Sequence, residues 1–385
     1  MLNASQYFQP NTSSQVVTWH IVKMRVPLEL NKSLYSFIPS VKKTYSFVIF
    51  FLFLFCLTCK KKPNQDVNPD IPADVYVTFS NTFRPYGQYW KNGEMVELAT
   101  PNVFASARAI FVSDNDIHIV GDASSVSTNI IYSSSIGQYW KNGVVSNVEN
   151  GIPAKLLYDV AVSEGDVHIC GDGLNTKQLK LQAAYWKNGM AVPLDEAAVR
   201  DSRARGIFVA GKDVYVAGSL AFQNTTAVYW KNGVVITLGN PLNISYAISV
   251  VVSGKDVYVT GSEGIGFHTR ARYWKNGVGT FLDNSEFYSE AVDIAVSGKD
   301  VYCVGNLQYN DNNRSARLWK NGVSQSLPGA LRVSSVFVFN NDVYVAGEGL
   351  DNGIKCPMYW KNGVQVLLPN DSNGPFASSI FVKKR

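Results

Sequence analysis

Carboxylates and cations recur in this chain at spacings that could do chemistry. Seven aspartates, Asp74, Asp116, Asp166, Asp213, Asp256, Asp300 and Asp342, each open a short apolar segment such as "DVYVAG". A ring of carboxylates could hold a divalent cation, but none of these has a second nearby ligand. An aspartate after a tight turn more commonly accepts backbone N–H bonds, and that role is expected here. Four residues stand where other copies of the pattern carry small or apolar side chains: Arg108, Asp159, Arg205 and Asp293. Together they would form a polar pocket or a rim of solvated charges. His268 and Arg270 lie close together in a segment of irregular length. The other histidines are His20, His118 and His168; no pair has metal-ligand spacing, and no nucleotide-binding or nucleophile-elbow fingerprint is present. The reading is therefore no metal, no cofactor and no assignable catalytic residue, with Arg108, Asp159, Arg205, Asp293, His268 and Arg270 as candidate binding residues.

The elements that position them follow from a repeat. "YWKNG" occurs six times and "LWKNG" once, on Trp90, Trp140, Trp186, Trp230, Trp274, Trp319 and Trp360, at spacings of 50, 46, 44, 44, 45 and 41 residues. A second motif keeps step with it, as in "IFVAGKDVYVAG" from Ile207 and "VVVSGKDVYVTG" from Val250. A strand-rich period of this length predicts the blades of a β-propeller. Each unit reads as four strands: A ("SIFV"), B ("DVYVAG"), C ("ARYWK") and D ("VVITL"). The Asn-Gly pair closes the C–D hairpin, since a type I′ turn needs positive φ at both central residues. Tyr and Trp, adjacent on strand C, must face opposite sides of the sheet and fill the wedges between blades. The lysine after them is expected to be solvated.

The array starts at strand B, with "DVYVTF" from Asp74, and stops at strand A, with "SSIFVKKR" from Ser378. The two ends should pair and close a ring: an all-β, seven-bladed propeller of four-stranded antiparallel blades over residues 74–385. An eighth blade would need strand pattern upstream, and there is none. A–B and C–D turns then occupy one face of the disc. The variable B–C and D–A loops, such as "SEGIGFHTR" from Ser262 and "NLQYNDNNRS" from Asn306, occupy the other and are the expected carriers of specificity.

The Gly-terminated second strand and the Trp near the third resemble the kelch-like propellers, although the doubled glycine of that group is absent: Gly218, Gly261 and Gly347 stand alone. The repeats look most similar to bacterial lipoproteins built from "YWKNG…DVYVAG" units. The resemblance spans Asp74 to Arg385, implies no activity and carries no site residue across. The "SxDxGxTW" box of sialidase propellers is missing.

Residues 42–62 read "KKTYSFVIFFLFLFCLTCKKK". An apolar run from Phe47 to Leu57 is too short to span a bilayer and reads as a secretory signal. Cys59 directly after it is the expected lipidation site, despite Thr58 in place of a smaller residue; 41–59 is then a lipoprotein-type signal and 60–73 a flexible tether. Residues 1–40 precede that signal and are expected to lie outside the mature protein. Residues 1–62 hold eight Lys or Arg and one Glu, so the net charge of +5 conceals a remainder with 27 basic and 29 acidic side chains. A domain so close to neutral lacks the footprint of a nucleic-acid binder. Cys170 and Cys303 fall where other copies have Ala217 and Val216, and read as small buried apolar residues. The function expected is a lipid-anchored, non-enzymatic, monomeric module of the bacterial cell envelope, at the outer membrane or cell surface, binding a protein or glycan. The alternatives are a secreted or periplasmic carbohydrate-active enzyme and a structural spacer.

Overall fold

A computed structural model describes residues 72–385, except 81–85, 100–103, 125–134, 147, 149, 196, 198, 267, 284–287, 311–312 and 371–375. Cys59, the signal and the tether lie outside the described residues. The described chain forms seven four-stranded antiparallel sheets with no crossovers inside a sheet. Blade I takes its inner strand, Phe376–Lys384, from the C-terminus and its other three, Ala73–Ser80, Gln88–Lys91 and Glu94–Glu97, from the start of the array. Tyr76 pairs with Phe381 and Val77 with Ile380, so the ends of the array close the ring as expected. The inner strands of blades II to VII are Phe104–Ser113, Ala154–Ser163, Ser202–Ala210, Ile244–Ser253, Tyr288–Ser297 and Ala330–Phe339. Each packs against its two neighbours around a central channel. The outermost strands, such as Val323–Ser326, are exposed.

The core is seven clusters, one in each wedge between blades. The strand-C Tyr of one blade shares a cluster with the strand-C Trp of the next: Tyr89 with Trp140, Tyr139 with Trp186, Tyr185 with Trp230, Tyr229 with Trp274. Tyr273 meets Trp319, Leu318 meets Trp360, and Tyr359 closes the circuit on Trp90 with ring centroids 6.0 Å apart. In four blades the indole N–H also donates to a carbonyl of the crossing that enters the blade. Trp140, Trp186, Trp230 and Trp360 reach Ala99, Ile152, Asp195 and Pro328 at 2.9–3.1 Å.

The recurrent aspartate behaves differently from expectation, and the motif lysine, solvated as expected with its side chain 37–48% exposed, is also paired. Each Asp reaches sideways to strand C instead of capping the A–B turn. One carboxylate oxygen lies 2.6–3.6 Å from the Lys Nζ in every blade, as in Lys187–Asp166 and Lys91–Asp74. The other accepts the motif Asn Nδ2–H at 2.6–2.8 Å. The Asn Oδ1 in turn accepts the backbone N–H of the residue after the Asp, at 2.8–2.9 Å. The lysine is therefore pinned, and in five blades it also lies over the strand-B tyrosine at 5.1–5.6 Å. The Asn and Gly both have positive φ, 52° and 85° at Asn232-Gly233, so the turn chemistry is as expected. Four of the five motif letters thus serve the contacts of strand C and one the turn alone.

His118 and His168 replace that tyrosine and are buried, each with Nδ1 2.7 Å from a strand-C hydroxyl, Tyr139 and Tyr185. Burial lowers both pKa values below the usual imidazole range. Cys170 and Cys303 are free and fully buried, as expected.

Candidate functional site

Every inner strand of blades II to VII has a register shift near its middle, which leaves one residue unpaired on the channel side: Arg108, Tyr158, Arg205, Ile248, Val292 and Ser334. The bulge presses a strand-A carbonyl onto the glycine that follows the apolar stretch of strand B. A Cβ at Gly121, Gly171, Gly218, Gly261, Gly305 or Gly347 would lie 1.8–2.1 Å from that oxygen. This is why the glycine recurs. Blade I carries Phe79 at the equivalent place and accommodates it.

Three adjacent blades fill the bulge position with Arg108, Tyr158 and Arg205. The guanidinium carbons lie 5.2 and 4.1 Å from the Tyr158 ring centroid, so one phenol is flanked by two cations. One residue beyond the strand-B glycines stand Asp122 and Asp172. Asp122 Oδ1 accepts Arg108 Nε–H at 2.5 Å. Asp172 is fully buried; its Oδ2 accepts the Tyr158 hydroxyl at 3.2 Å and lies 3.6 Å from Arg203 Nε. Burial raises the Asp172 pKa, opposed by Arg203 and Arg205. Three guanidiniums thus meet two carboxylates on the variable-loop half of the inner strands. Among the described residues Arg205 acts on the Asp172 charge without forming a direct ion pair, and such a guanidinium can take an anion.

The four sequence candidates do not form one pocket. They stand within strand A, which runs several residues further toward the loop face than the short "SIFV" motif suggests. Arg108 and Arg205 occupy the bulge; Asp159 and Asp293 follow the bulge of their own blades and serve as clasps. Asp159 Oδ2 accepts Ile207 N–H of the next inner strand at 2.9 Å, while Oδ1 accepts Val160 N–H at 2.8 Å. Asp293 likewise accepts Val336 N–H at 2.8 Å, with Ser249 Oγ–H and Ile294 N–H on its other oxygen. Burial, with a contribution from the Asp293 charge, raises the Asp159 pKa to about 7; burial raises that of Asp293 too.

His268 and Arg270 belong to a second place, on blade V, where a cavity of about 530 Å³ is lined by Asn243, Glu263, His268, Arg270, Arg272 and Phe281 among others. Sequence reasoning missed Tyr158, Asp122, Asp172, Arg203, Glu263, Arg272 and Phe281. A signal existed for two of them: "VGDAS" and "CGDGL" place Asp where other blades have Ser219, Ser262 or Asn306. Among the described residues no group of three or more His, Cys, Asp or Glu gathers as a metal site would require.

No family model and no curated protein matches the chain. Among solved structures it is similar to a puromycin-hydrolysing peptidase of Mycobacterium tuberculosis, at 12% identity and a TM-score of 0.47, over 77% of this chain and 51% of that one. The chain therefore spans about half the length of that peptidase. It is also similar to an exo-1,5-α-L-arabinanase from a bovine ruminal metagenomic library, at 11% identity and a TM-score of 0.32, over 69% of this chain and 98% of that one. A third similarity is to a mutant Trypanosoma rangeli sialidase displaying trans-sialidase activity, at 10% identity and a TM-score of 0.39, over 77% and 54%. At these identities and scores they say nothing about ligand or reaction.

Proposed function

We propose that the chain is a non-enzymatic binding propeller of the bacterial cell envelope, anchored by a lipid on Cys59. On this reading it takes an anionic segment of a protein or glycan at the channel rim of its variable-loop face. The supporting observation is the Arg108–Tyr158–Arg205 array, where a guanidinium without a direct ion pair lies 4.1 Å from the centroid of a phenol ring. A carboxylate, sulfate or phosphate on the ligand would complete that charge pattern with paired N–H donors. The kelch-like resemblance and the "YWKNG…DVYVAG" units are consistent with a module whose framework repeats while its loops vary.

The enzyme alternative would require free acid and base groups. Asp159, whose pKa burial raises to about 7, has both oxygens committed to backbone N–H groups, which favours a structural role. The test is an array of acidic glycans and acidic peptides probed with the mature protein. Binding that disappears in Arg205→Gln supports the reading, and its class shows whether the partner is glycan or protein. Unchanged retention of every hit by Arg205→Gln would remove the rim from consideration. Labelling cells with a palmitate analogue should mark the wild type and spare Cys59→Ala; equal labelling would refute the anchor.

A further inference from the structure

Blade V carries paired charges at two neighbouring positions that blade IV fills with apolar side chains. Opposite the strand-B glycine, blades IV and VII place Val228 and Met358, fully buried; blade VI places Arg317 opposite Gly305, and blade V places Arg272 opposite Gly261. Beside it, Glu263 is buried where blades IV and VI have Leu220 and Leu307. The two charges pair through Arg272 Nη1 and Glu263 Oε2. Glu263 Oε1 also accepts Asn243 Nδ2–H at 2.9 Å and Asn240 N–H at 3.3 Å, tying down the crossing that enters the blade. The Arg272 guanidinium lies 5.5 Å from the Trp274 ring. Gly279 stands opposite Trp274, where blades II and IV have Val145 and Val235, and leaves the space the guanidinium occupies. A Cβ at Gly279 would come within 2.2 Å of Arg272 Nε.

These departures are costly. Trp274 Nε1 and Arg272 Nε are buried without a hydrogen-bond partner, whereas four other indoles reach a carbonyl. A buried ion pair is weak evidence for stability, since well-packed apolar residues often do as well. Local rules broken at a cost mark functional places. Glu263 and Arg272 line the cavity of about 530 Å³, a size suited to a small molecule. Its cations are unequally matched. Glu263 neutralises Arg272, but Arg270 is stacked 4.1 Å from the Phe281 centroid and has no carboxylate partner among the described residues. Phe281 holds both guanidiniums, Arg272 at 4.6 Å, so Arg270 is pre-oriented. His268 and Asn243 add polar groups at the same wall.

We infer that this pocket is a second binding site, separate from the channel rim, for a compact carboxylate of monosaccharide or amino-acid size held by Arg270. Isothermal titration of the mature protein with D-glucuronate and with N-acetylglutamate separates a sugar acid from an amino acid. D-glucose and N-acetylglutamate dimethyl ester are the uncharged controls. Saturable binding of either acid, at least 10-fold tighter than its control and weakened at least 10-fold by Arg270→Gln, is expected. Gly279→Ala, which displaces the Arg272 guanidinium, should weaken the same acid; thermal melts of both variants confirm folding. Absence of saturable binding by both acids at 10 mM, equal binding of the controls, or an Arg270→Gln variant that binds as the wild type does would overturn the site.

Discussion

Removing residues 376–385 tests the closure on which the whole disc depends. The deletion strips blade I of its inner strand and leaves the edge of Ala73–Ser80 unpaired along eight register positions. Ile380 and Val382 are almost fully buried, and burying such side chains stabilises by about 1.5–3 kcal/mol each. Phe381 bridges the neighbouring inner strands, its ring 5.0 Å from Phe111 and 4.8 Å from Phe337, and aromatic pairs add roughly 0.5–1.5 kcal/mol each. The sum is about 4–9 kcal/mol, comparable with the roughly 5–15 kcal/mol that holds a typical domain together. The shortened chain should lose its cooperative thermal transition by near-UV circular dichroism and be cleaved rapidly by a dilute protease. A synthetic peptide of residues 376–385, added in trans, should restore part of the signal by re-forming the strand. If the shortened chain melts cooperatively within about 3 °C of the intact one, the terminal strand does not carry the ring, and the reasoning fails.

Three further outcomes follow from individual contacts. Gly218→Ala puts a Cβ 1.9 Å from the Arg203 carbonyl, where backbone must move; a loss of about 1–3 kcal/mol in urea denaturation is expected. Trp230→Phe forfeits the hydrogen bond to Asp195, whereas Trp274→Phe forfeits none, so the first should be more destabilising by about 1 kcal/mol. Asp159 has a folded pKa near 7, above its unfolded value, so the folded state holds a proton that the unfolded state releases from about pH 4 upward. Its contribution is complete below the unfolded pKa and is lost as pH rises through 7. Stability should therefore decline over that window, and Asp159→Asn should flatten the decline; an unchanged slope in the variant would show that Asp159 ionises freely.

The repeats alone made the architecture legible, because blade geometry is local. Alternation, an Asn-Gly turn and a Tyr-Trp pair each act within a few residues, and seven copies in register leave one closed arrangement. The pairing of Tyr76 with Phe381 followed from an array that begins at strand B and ends at strand A. The partners of side chains were less legible. The aspartates of strand B looked like turn caps, since the sequence does not display the strand-C lysine and asparagine, 17–26 residues later, as neighbours. Likewise Arg108, Asp159, Arg205 and Asp293 looked like one set of charges on one rim. A single bulged residue divides them, turning Arg108 and Arg205 toward Tyr158 and committing Asp159 and Asp293 to the next blade's backbone. The chain order determined the ring and its two faces, since strand pairing here is between sequence neighbours and the two ends. Only the tertiary structure decided which charges meet, because those contacts join neighbouring strands of a blade or neighbouring blades, and at the channel rim they depend on a register shift that no motif spells out.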